Sequence, residues 1–125
     1  MGMALTMVNS RVKGSRNQRK CIIQFENDGY EVAIVERTGK FLKEKDAFGL
    51  FDIACMNKNT TVWVQITTNR NHPHKKFMKF SEEHQQVDTA YEQWVWIDHK
   101  GWRIFEYKRG KKYECTKHHT IKLAK

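Results

Sequence analysis

A chain of 125 residues with 39% hydrophobic and 12% aromatic side chains is long enough for one domain around one core. No apolar run approaches the roughly 18 residues of a membrane span, so the composition speaks against a helical membrane protein. A net charge of +9 and a pI near 9.6 direct attention to anionic partners.

The charge is unevenly placed. Residues 1–20 hold five basic and no acidic side chains, residues 108–125 hold seven basic and one acidic, and the middle is close to neutral. Basic ends around a neutral centre suit a polyanion, because each neutralised phosphate releases counterions. Solubility alone, or an acidic protein partner, would satisfy the same charges. Three cysteines, Cys21, Cys55 and Cys115, form no close pair. They are read as reduced thiols in an intracellular setting, cytoplasmic or, for a viral protein, the host cytoplasm. Met1 to Val8 has no preceding positive segment, so residues 1–12 are read as a loose leader rather than a secretory signal.

In chain order, Ser15 to Asn27 reads as a helix, with Ser15 as cap, Gln18 three residues on, and Asp28-Gly29 as stop. Gln18, Cys21, Ile22 and Phe25 mark its core face, and Arg16, Arg19 and Lys20 lie elsewhere on its surface. These cations suit either phosphate binding or an ordinary solvated face. Tyr30 to Glu36 is β-prone. Arg37 to Lys45, with Gly39 and four cations, is read as a loop.

Two strand-like arms then flank Asn57-Lys58-Asn59-Thr60, a polar turn, giving a hairpin between Lys45 and Arg70. Asp52 opens the first arm and Gln65 lies on the second. A carboxylate in such apolar company must be paired, metal-bound or at a wet strand end.

Pro73 starts a helix expected to run to about Ala90, with an interruption near Ser81; Phe77, Phe80, His84, Val87 and Tyr91 form its apolar stripe. Glu92–Ile97 and Gly101–Tyr107 flank Asp98-His99-Lys100-Gly101, a second hairpin. Its tryptophans are read as core rather than as base-stacking platforms. Arg109 onward is basic and read as a loop, with Thr120–Leu123 as a short strand or a loose end. The whole gives an α/β domain with a mixed central β-sheet flanked by helices.

The turn, the Asp entering a strand, the hairpin and a pair of residues two apart on its second arm resemble the core of the PD-(D/E)XK nuclease superfamily. The more specific likeness is to archaeal-type Holliday junction resolvases. Asp52 matches the Asp of that signature, Gln65 stands where Glu or Asp is usual, and Thr67 where Lys is usual. Upstream, Lys13-Gly14-Ser15-Arg16-Asn17-Gln18-Arg19-Lys20 resembles the opening of the resolvases' first helix, with Gln18 in place of a Glu.

The resemblance implies a restriction-endonuclease-like α-β-β-β-α-β core over residues 13–109, with residues 110–125 as a basic extension. It also implies DNA as substrate, including branched DNA, and cleavage assisted by Mg²⁺ or Mn²⁺, with no small-molecule cofactor and no membrane. A homodimer is implied where the substrate is a four-way junction. The metal ligands it implies are Asp52, Gln65 through its amide oxygen, and the carbonyl of Ile66. Asp52, Gln65, Thr67, Asp46 and Gln18 form the expected catalytic set. Glu36 is a further source of a carboxylate, and Lys75, Lys76 or Lys79 a source of the missing cation. Arg11, Lys13, Arg16, Arg19, Lys20, Lys40, Lys43, Arg70, Lys75 and Lys76 are the expected nucleic-acid contacts.

Neutral Gln65 and Thr67 weaken that chemistry, since one lost electrostatic donor costs about 2.7–4 kcal/mol. A binding module of the same fold that grips nucleic acid or a protein without cutting is therefore the alternative. Cys115 with His118 and His119, helped by His72 or His74, matches no standard zinc spacing. A Cys55 nucleophile lacks an identifiable base.

Overall fold

The structure is a computed structural model, and it describes residues 9–35 and 48–115, with side chains from residue 16 onward. Helix α1 (Asn9–Asn27) is followed by β1 (Glu31–Ile34), β2 (Ile53–Met56), β3 (Thr61–Thr68), α2 (His74–Glu83), β4 (Thr89–Ile97), β5 (Gly101–Lys108) and β6 (Lys111–Cys115). The strands form one sheet in sequential order. All neighbours are antiparallel except β3 and β4, which run parallel and are joined through α2. The α-β-β-β-α-β order and the mixed sheet expected from the sequence are both present. Among the described residues, no helix is long and apolar enough to cross a membrane.

Each helix covers one face of the sheet. On the α1 face, Cys21 and Phe25 pack with Ile53, Cys55, Val64 and Trp94. On the α2 face, Phe77 packs with Phe51, Tyr91, Val95, Phe105 and Tyr107. Strand alternation divides these sets. On β4, Trp94 faces α1 and is fully buried, its ring 5.0 Å from that of Phe25, while Tyr91 and Val95 face α2. The core reading of the tryptophans therefore holds for Trp94.

Local chemistry explains the boundaries. Helix α1 ends in a Schellman motif: Tyr30 N donates to Phe25 O and Gly29 N to Glu26 O, both at 3.0 Å, with Gly29 at φ +91°. The helix starts at Asn9, six residues before the expected cap. Its buried stripe runs through Asn17, Cys21 and Phe25, spaced by four, and Gln18 and Ile22 flank it half-buried. At the first hairpin, Asn57 Oδ1 accepts from Asn59 N and Thr60 N, each at 2.8 Å, which closes the expected turn.

Two expectations are corrected. Helix α2 stops at Glu83 instead of Ala90, and Pro73 precedes it rather than sitting in its first turn. Of the expected stripe, Phe77 and Phe80 are helical, Val87 is 85% exposed in a turn, and Tyr91 belongs to β4. Tyr91 still reaches the same cluster, because its strand passes beneath the helix and its hydroxyl donates to His84 O at 2.6 Å. The basic segment after Arg109 is a strand rather than a loop. Arg109 and Gly110 both have positive φ, +53° and +80°, as a two-residue hairpin requires, and Gly110 N donates to Ser81 Oγ at 2.9 Å. Thr120–Leu123 lies outside the described residues.

Candidate functional site

Asp52 precedes β2 and is held against β3 from both sides of its backbone and side chain. Its N–H donates to Val64 O at 2.8 Å, and its Oδ2 accepts the Ile66 N–H at 2.9 Å. The carboxylate thus continues the β2–β3 ladder where the strand itself has ended. It is 7% exposed, and Gln65, between those two β3 residues, is 5% exposed. The structure therefore joins Asp52 to Ile66 across two interior strands, with Gln65 beside Ile66 on β3.

Gln65 and Thr67 share the face covered by α2, two residues apart on β3. The Thr67 hydroxyl oxygen is buried and has no hydrogen-bond partner among the described residues. Asn17 Nδ2 donates to Thr68 Oγ1 at 2.7 Å, which fixes α1 beside the last residue of β3, while Gln18, next along the helix, is half-buried. Asn17 is 3% exposed. Its role was missed by the sequence reading, although its four-residue spacing to Cys21 was the available signal.

Cations surround this end. Arg16 and Arg19 are exposed on α1, Arg70 is exposed two residues beyond β3, and Lys75 and Lys76 are exposed in the first turn of α2. Lys20 Nζ lies 3.7 Å from the centre of the Trp96 ring, a cation–π contact. Lys79 pairs with Glu83 at 3.9 Å on the solvated side of α2. Arg11 and Lys13 lie on α1, but their side chains are outside the described set. Asp46, Glu36, Lys40 and Lys43 lie outside the described residues.

A second polar group adjoins Gln65. Gln93, its register partner on β4, is fully buried; its Oε1 accepts from His72 N at 2.5 Å and its Nε2 donates to Tyr107 Oη at 2.8 Å. Tyr107 Oη is also 2.7 Å from His74 Nδ1. Burial lowers the His74 pKa, helped by Lys112 and Arg103, and burial pushes the Tyr107 phenol well up. Both groups are neutral near pH 7, and the network holds the loop before α2 against the sheet. Sequence periodicity carries no signal for it, since its members come from α2 and the loop before it, β4 and β5.

Among the described residues, no three His, Cys, Asp or Glu side chains gather as a metal group. Asp52, the Gln65 amide and the Ile66 carbonyl offer oxygen donors of the hard type that Mg²⁺ and Mn²⁺ prefer; of these, the Asp52 carboxylate is bonded to the Ile66 N–H. Cys55 is fully buried, as befits a core thiol. An open groove of about 790 Å³ lies where β4 begins, bordered by Gln85, Asp88, Glu106 and Arg109, and none of the expected site residues lines it.

No family model matches the sequence, and no curated protein matches it. Among solved structures, the chain is similar to that of Archaeoglobus fulgidus Hjc, a Holliday junction resolvase from an archaeal hyperthermophile. The identity is 14%, the match covers 82% of this chain and 83% of that one, and the TM-score is 0.48.

Proposed function

We propose that this chain is a DNA-processing protein of the Holliday junction resolvase-like type, cleaving phosphodiesters with the help of Mg²⁺ or Mn²⁺. The observation that carries the reading is the buried Asp52 carboxylate bonded to the Ile66 N–H, next along β3 from buried Gln65. Exposed Arg16, Arg70 and Lys75 come from the segments at or following that end of β3.

In this reading Asp52 and the amide oxygen of Gln65, with the Ile66 carbonyl, would hold the ion. The bound ion supplies charge neutralisation and a more acidic water. The Ile66 N–H keeps the Asp52 carboxylate oriented. Exposed cations draw in and orient the backbone of the nucleic acid. A four-way junction as substrate and a homodimer belong to the same proposal, as does an intracellular setting for three thiols.

The second reading, a module that binds without cutting, is favoured by one feature: Gln65 and Thr67 are neutral at the two positions where the signature carries charge. The readings separate when supercoiled plasmid, linear duplex and a four-way junction are incubated with the protein and Mg²⁺ or Mn²⁺, beside Asp52→Asn. Cutting that disappears in the variant supports the nuclease. Salt-dependent binding with no cutting supports the module. A protein that neither binds nor cuts any of the three overturns both.

A further inference from the structure

Phe48 is an exposed aromatic ring in a conformation that its side chain disfavours. It is 61% exposed, its φ is +58°, and Gly49 follows at +71°. Two successive positive φ values are characteristic of a type I′ turn, where Asn-Gly is the favoured pair and a bulky first residue is strained. The other non-glycine residues with positive φ are Asn69, Asp88, His99 and Arg109 among those described. Asn, Asp and His tolerate this region through short polar or compact side chains, and Arg109 turns a tight hairpin. Phe48 leaves most of its surface, 61%, in solvent against that cost.

The ring nevertheless has a fixed seat. Its centroid lies 5.6 Å from that of Trp63 in an edge-to-face contact and 5.3 Å from that of Phe80 in a tilted one. Phe80 packs in turn on Phe51 and Tyr91. A clustered aromatic base therefore supports one ring whose outer surface meets solvent. Trp63 lies two residues before Gln65 on the same face of β3, and Phe48 lies four residues before Asp52. The ring thus stands on the site's own face of the sheet.

We propose that Phe48 is a stacking residue for an unpaired DNA base, holding a distorted or branched strand beside the Asp52 corner. Every base has a flat π-face, so an aromatic surface recognises loss of pairing rather than sequence, and protein rings of this kind stack on splayed bases. Duplex DNA keeps its bases stacked inward and offers no such partner. This inference rests on the DNA reading above but not on cleavage.

The test is equilibrium binding in EDTA, using a perfect duplex and the same duplex carrying one bulged 2-aminopurine. The variants are Phe48→Asn, which suits the turn and removes the ring, and Phe48→Tyr, which keeps the ring. Wild type and Phe48→Tyr are expected to prefer the bulged DNA and to quench its fluorescence. Phe48→Asn is expected to bind bulged DNA roughly tenfold more weakly, with duplex affinity unchanged and the unfolding midpoint equal or higher. Equal binding of both DNAs by the wild type, or an Asn variant that keeps the preference, overturns the inference and leaves the DNA reading standing. So does an Asn variant that loses stability and both affinities together, because the ring would then be structural. Wild-type protein that binds neither DNA overturns the inference and the DNA reading together.

Discussion

The carboxylate of Asp52 accepts the backbone N–H of Ile66 at 2.9 Å, so one side chain performs the work of a missing strand residue at the β2–β3 edge. Two roles are thereby combined in Asp52, a structural acceptor and a negative charge, and substitution separates them. Asp52→Ala removes the acceptor and leaves a part-buried N–H, at a cost of about 1–3 kcal/mol. Asp52→Asn keeps an oxygen in place, so its unfolding free energy in urea is expected to lie nearer the wild type. In a metal-dependent nuclease both variants lose cleavage. Equal destabilisation by the two would show that the charge, not the hydrogen bond, matters to folding.

Gln65 offers the converse experiment. At 5% exposure it is tolerated as a neutral amide, whereas a carboxylate there would be desolvated close to that of Asp52. Gln65→Glu is therefore expected to lower the metal-free stability by roughly 1–3 kcal/mol. Mn²⁺ should then raise the melting temperature of the variant more than that of the wild type, because binding to the native state alone stabilises it. A variant that melts unchanged and ignores Mn²⁺ would remove Gln65 from the proposed ion site.

What was legible in the chain was what local chemistry decides. Asn57 closes its turn by its own side chain, Gly29 ends α1, and alternation places Trp94 in the core. The errors came from tertiary effects. Phe77, Phe80 and Tyr91 share one cluster but not one helix, since a strand under a helix can supply the next apolar residue at nearly helical spacing. Lys111 to Glu114 looked like a solvated loop because β6 is an edge strand with most of its side chains exposed, and charge is compatible with an edge. At the site, the hairpin that carries Asp52 to the side of β3 was readable from the two strand-like arms and their turn. The Asn17–Thr68 bond and the Gln93–Tyr107–His74 network were not, because each joins segments far apart in sequence.

That network makes stability depend on pH in a defined direction. The folded-state pKa of His74 lies below its ordinary value, from burial first and then from Lys112 and Arg103, with Glu114 opposing. The unfolded chain therefore binds more protons, and stability must fall as pH drops below about 6.5 towards the folded pKa. His74→Gln is expected to flatten this part of the stability-against-pH curve. Tyr107→Phe, which deprives buried Gln93 Nε2 of its 2.8 Å acceptor, should cost about 1–3 kcal/mol at pH 7. NMR titration of His74 at or above about 6.5 would contradict the sign.

The cations at the site end of the sheet yield a prediction in which salt is the readout. Arg16, Arg70 and Lys75 are exposed on three separate segments, and Lys20 is engaged with the Trp96 ring at 3.7 Å. If the exposed three contact phosphates, each substitution by Ala reduces the slope of log K against log salt by about 1, uniformly over DNA sequences. Lys20→Ala should do less to the slope, because its ammonium already faces an aromatic ring, and should instead lower stability by about 0.5–1 kcal/mol. Anisotropy titrations from low to moderate salt, with urea unfolding of the same variants, separate the two kinds of cation. A slope that none of the three exposed residues changes would move the DNA contact away from this end of the sheet.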